Sequence, residues 1–127
     1  MDTPTTLQEA AVQTFDLNAI AAELEREEAF WSSRRAASSL VKEDDLTVVL
    51  TTVLKGETIR EHAAPKAAFV TVLEGEIILR FADEEKRLAK GQSVAFAGGV
   101  RHAVEAPEDA RFIVVLGGSS DTSHLSA

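Results

Sequence analysis

Turn residues interrupt this chain at short, regular intervals from Gly56 to Asp109. They are Gly56, Glu74-Gly75, Asp83-Glu84-Glu85, Lys90-Gly91, Gly98-Gly99 and Pro107-Glu108-Asp109. The runs between them are brief, rich in Val, Ile, Leu and Phe, and too short for packed helices. Such spacing predicts antiparallel strands joined by tight turns. With no helical pattern between the strands, a βαβ layout is excluded. An all-β sandwich or jelly roll of about eight strands is expected. Glu74-Gly75, between the runs 69–73 and 77–81, reads as a two-residue hairpin connection whose glycine supplies positive φ.

Upstream the period changes. Leu17, Ile20, Ala21 and Leu24 fall on one face at helical spacing, with Glu23, Glu25, Arg26, Glu27 and Glu28 reading as the solvated side. This predicts a helix capped by Asp16 or Asn18 and running to about Phe30, with the single tryptophan, Trp31, anchoring it to the rest of the protein. Ser38 to Val41 and Leu46 to Leu54 read as strands around the charged tip Lys42-Glu43-Asp44-Asp45. Leu46, Val48, Leu50 and Leu54 share one face of the second strand. Its other face, with Val49 and Val53, is half apolar, so the strand is expected to be covered on both sides, by the helix or a second subunit. The expected organisation is an arm and helix over 1–36, a β domain over 37–117 and a flexible polar tail over 118–127.

The chain has 127 residues, no cysteine and a net charge of −8. One domain with one core is expected. The negative charge opposes nucleic-acid binding, and the lack of cysteine removes disulfides, thiolate nucleophiles and cysteine-based zinc sites. No apolar run approaches membrane-spanning length, and residues 1–6 show no positively charged leader, so a cytoplasmic protein is expected.

Two segments carry histidines in a recognisable frame. The first runs from Gly56 through His62 to Gly75, and the second from Gly91 through Gly99 to His102. Together they resemble the paired motifs of the cupin superfamily over roughly Leu46 to Leu116. Gly56, His62 and Gly75 match the first motif; Gly91, Gly99 and His102 match the second. The resemblance implies a jelly-roll β-barrel or sandwich and a metal held by three histidines and a glutamate. Here the second histidine position is Ala64, the glutamate position is Ala68, and only His62 and His102 remain as metal ligands. The later proline and asparagine positions of the second motif are Ala97 and Ala106.

Strand alternation places Glu61 opposite His62 and Glu105 at odd offset from His102, so neither carboxylate completes the set. No cofactor follows from the residues beyond a weakly bound divalent metal. Alternation also turns Ala64, Ala68, Val70, Val72, Val104 and Ala106 inward with the two histidines, leaving room for a small-molecule ligand unless Phe81 and Phe96 fill it. In such a pocket the histidines are suited to meet a small anion or to act as general acid and base. Arg101 is expected at the rim, Lys66 at a loop tip and His124 in the solvated tail.

The expected function is small-molecule binding at an incomplete two-histidine site, as a sensor or carrier. The alternatives are a cupin-type enzyme (dioxygenase, isomerase or epimerase) using His62 and His102, and a scaffold valued for self-association. A homodimer is expected, with no nucleic-acid or membrane partner.

Overall fold

The computed structural model describes Leu7 and residues 10–117. The expected tail and His124 lie outside the described residues, as does most of the arm. Among the described residues two short helices, α1 (Leu17–Leu24) and α2 (Glu28–Ser33), precede nine strands. The strands are β1 (Arg35–Lys42), β2 (Leu46–Val53), β3 (Thr58–His62), β4 (Ala67–Glu74), β5 (Glu76–Arg80), β6 (Glu85–Ala89), β7 (Ser93–Phe96), β8 (His102–Glu105) and β9 (Ala110–Gly117).

They form a five-stranded sheet, β1-β2-β9-β4-β7, facing a four-stranded sheet, β3-β8-β5-β6. Every pair is antiparallel. The sheets pack as an open sandwich and do not close into a barrel. Glu74-Gly75 does not close the expected hairpin, because β4 and β5 pair in different sheets and the turn carries the chain across the sandwich. Gly75 has φ +78° there, and a Cβ would come 2.1 Å from Asp109 O. Glycine is needed at this turn both for its backbone and for the close approach of the β8–β9 connection.

Alternation along the strands builds two apolar layers. Val53, Val70, Val72, Ile77, Leu79 and Phe112 are among the buried residues between the sheets. On the outer face of the larger sheet Leu40 and Leu50 pack with Ala21 of α1, joined by Phe15 and Ile20. The second cover that β2 requires is therefore the N-terminal helix.

The helical segment is capped at one of the two expected residues and departs from expectation in two ways. Asp16 caps α1, accepting from Ala19 N at 3.1 Å, while Asn18 accepts from Arg111 Nη1 at 3.2 Å. The helix breaks at residues 25–27 rather than continuing to Phe30, because Glu25 leaves the solvated face. Its carboxylate accepts from Arg111 Nε at 2.9 Å, from Arg111 Nη2 at 2.6 Å and from Thr52 Oγ1 at 2.5 Å. Finally, Trp31 is not the anchor. It is 60% exposed, with Nε1 donating to Glu25 O, whereas Phe30 beside it is 2% exposed. A larger aromatic side chain can lie on the surface when its N–H is satisfied there, and the smaller phenylalanine fills the buried position.

Candidate functional site

β3 and β8 bring the two histidines together. They pair antiparallel with His62 opposite His102, and the ladder slips by one residue between Ile59 and His62. Ile59 faces Val104, so three steps on β3 match two on β8. Without that bulge Glu61, not His62, would follow Ile59 onto the inner face; with it, both Ile59 and His62 line the interior. Glu61 is turned out, where it accepts from Arg101 Nε at 2.5 Å. Arg101 thus lies at the exposed rim.

The loops that follow β3 and precede β8 are laced to each other. Gly99 N donates to Ala64 O at 2.7 Å. A Cβ on Gly98 would come 2.2 Å from Pro65 O, so only glycine admits this approach. Lys66 Nζ donates to Asp44 O, tying its loop tip to the β1–β2 turn.

The imidazole centroids of His62 and His102 are 4.2 Å apart with planes at 60°. Phe96 packs on His102 at 4.6 Å, and Phe81 stands behind Phe96 at 5.3 Å. His102 is 6% exposed, whereas His62 is exposed at the mouth. Each ring is oriented by a carbonyl two residues back: Arg60 O lies 3.0 Å from His62 Nδ1, and Val100 O lies 3.1 Å from His102 Nδ1. Burial pushes the pKa of His102 below the ordinary imidazole value; the bond to Val100 O opposes this and the charge of His62 adds to it.

The two rings border a cavity of about 230 Å³ between the sheets. Of the residues expected there, His62, Ala64, Ala68, Val70, His102 and Val104 line it. Val72 and Ala106 do not. Both are buried in the inter-sheet core, near the turns at Gln92 and Gly56, whose backbones they hydrogen-bond. Phe96 forms one wall rather than filling the space. The lining also includes Thr51, Ile59, Leu79 and a row from β9, Phe112, Val114 and Leu116. That row was detectable from alternation along β9, but Thr51 stands out only once β2 is placed beside it.

The donor set does not fit a resident metal. Ala64 and Ala68 carry no ligand atoms, and the nearby carboxylates are engaged outside the sandwich, Glu61 with Arg101 and Glu105 with Arg80. Among the described residues no group of three His, Cys, Asp or Glu side chains converges. Two imidazoles fall short of the three protein ligands that zinc normally takes.

A family model described as the cupin domain matches residues 49–116, more than half of the chain. The chain belongs to the cupin family. This cupin is similar in structure to a conserved protein of unknown function from Streptococcus pyogenes, with 24% identity over 94% of this chain and 96% of that one, at a TM-score of 0.69. A cupin 2 conserved barrel domain protein from Leptotrichia buccalis is 28% identical, covering 77% of this chain and 46% of that one, with a TM-score of 0.68. The likeness extends to a DMSP lyase from Ruegeria pomeroyi, 23% identical over 77% of this chain and 54% of that one, with a TM-score of 0.64. The first and third of these likenesses carry the fold alone. No curated protein sequence matches this cupin.

Proposed function

We propose that this cupin binds a small, mainly apolar molecule between its sheets, as a sensor or carrier, with His62 and His102 meeting the polar group of the ligand. The observation that carries this reading is the cavity itself: about 230 Å³, walled mostly by aliphatic side chains and bordered by two imidazoles in contact. An apolar cleft with a few placed polar groups is the usual form of a small-molecule site. A thermal-shift screen of wild type against a His62→Ala, His102→Ala double variant tests it. Ligands of this site stabilise the wild type by about 3 kcal/mol at a hundredfold excess over Kd, raising its midpoint, and leave that of the variant unmoved. A screen in which no compound favours wild type over the variant overturns the reading.

One observation favours a second reading, a cupin-type enzyme. Both rings are held through Nδ1, which leaves both Nε2 atoms to exchange a proton with a bound molecule. Chemical conversion of a stabilising ligand, lost in the double variant, would decide for it. The protein is also taken to be a cytoplasmic homodimer. The 48% exposed Phe69 and the 36% exposed Leu46 support self-association, which light scattering tests.

A further inference from the structure

The binding reading above leaves the chemistry of the ligand open, and the hydrogen-bond polarity of the two rings narrows it. A carbonyl oxygen only accepts. Arg60 O and Val100 O, at 3.0 and 3.1 Å from the respective Nδ1 atoms, therefore place the ring hydrogen on Nδ1 in both histidines. In a neutral imidazole the other nitrogen is then a bare acceptor, so Nε2 of each ring carries a lone pair. His102, buried, is the ring held neutral.

Its Nε2 has no hydrogen-bond partner among the described residues. No fully buried side-chain nitrogen or oxygen among them is left unpaired, so this nitrogen is reached from the cavity that His102 lines. Among the described residues, and apart from the two histidines and Thr51, the lining is apolar and includes no Arg, Lys, Asp or Glu.

Three kinds of ligand meet this site differently. A carboxylate would be desolvated with no cation in the wall and would face lone pairs. A pure hydrocarbon would strip water from Nε2 and leave it unpaired. A neutral molecule with one O–H satisfies the acceptor and keeps its body among aliphatic and aromatic side chains. Size points the same way: a cavity of roughly 150 Å³ holds benzene, so about 230 Å³ holds one ring with a small substituent.

We propose that the cavity takes a small neutral hydroxylated ring compound of the phenol class, whose hydroxyl donates to His102 Nε2. The geometry assigns His102 as the polarity-selecting residue of the site. His62, at the mouth, contributes less to this selection because its Nε2 is open to water.

Calorimetric titration of the full chain with p-cresol, toluene and p-toluate near neutral pH tests this. These probes share a methylated ring and differ in the polar group. The expected order is p-cresol tighter than toluene by about tenfold or more, one such step being about 1.4 kcal/mol, with p-toluate weakest. In His102→Phe the preference for p-cresol over toluene collapses to near unity, while the same change at His62 leaves most of it. The wild-type order stands by itself if the His102 variant fails to fold. Toluene binding as tightly as p-cresol, or p-toluate binding best, overturns the phenol assignment and leaves the cavity reading standing. Binding of none of the three overturns both.

Discussion

His62 and His102 face each other across the β3–β8 ladder with ring centroids 4.2 Å apart, one exposed at the cavity mouth and the other 6% exposed inside it. The contact exists because one bulged residue on β3 reverses which side chains point inward. Two groups of one type thereby acquire different environments, and the inner one resists protonation.

That resistance has a consequence for stability. Burial lowers the pKa of His102 from the ordinary 6.5, so the unfolded chain binds a proton before the folded chain does as pH falls. The contribution is complete above 6.5 and is lost as pH drops from there through the folded value. Urea midpoints measured across this window are expected to fall with pH, and His102→Phe is expected to remove that part of the slope. A midpoint unchanged from neutrality down to the carboxylate range would contradict the assignment.

The Glu25–Arg111 pair holds the helices to the larger sheet. Arg111 lowers the pKa of Glu25 chiefly by hydrogen bonding, against the opposing effect of burial, with Thr52 assisting. Its contribution is present above the ordinary value of 4.5 and is lost as pH falls through the lowered one. Glu25→Gln is expected to cost about 1.5–3 kcal/mol in urea unfolding, the range for hydrogen bonds to charged groups. Phe30→Ala is expected to cost about 3–5 kcal/mol. Trp31→Ala should cost under about 1 kcal/mol, as for an exposed side chain. A larger loss at Trp31 than at Phe30 would restore the tryptophan as the anchor.

Most of the sandwich was legible because its turns are written in glycine and charge. Gly75 marks a turn whatever surrounds it, but not that β4 and β5 part into different sheets there; the alternation of Ala68, Val70 and Val72 gives the inner face of β4 directly. Alternation states which face a residue takes, but not how far along the sandwich it lies. Val72 and Ala106 therefore point inward yet miss the cavity. The helix break was not legible, since Glu25 looks like its acidic neighbours until Arg111, far away in sequence, is placed beside it. Nor was the bulge that puts His62 inside: no glycine or proline marks residues 60–61.

The missing donors at Ala64 and Ala68 predict a gain of function. Both line the cavity beside the two histidines, so Ala64→His with Ala68→Glu would raise the donor count from two to four. Titration with zinc or nickel is expected to show binding by the double variant at least about tenfold tighter than by wild type, a gain of about 1.4 kcal/mol or more. Equal affinity would show that the four positions do not converge. Stoichiometric metal that stays with wild type through chelator dialysis would contradict the reading of an incomplete site.

Open, uncharged space beside paired imidazoles is what would make this cupin a binding protein, and a crystal structure of the protein soaked with p-cresol tests it most directly. The prediction is ring density among Val70, Phe96 and Phe112, with its oxygen within hydrogen-bonding distance of His102 Nε2. Side chains collapsed into that space, or a metal ion coordinated by both rings, would contradict it.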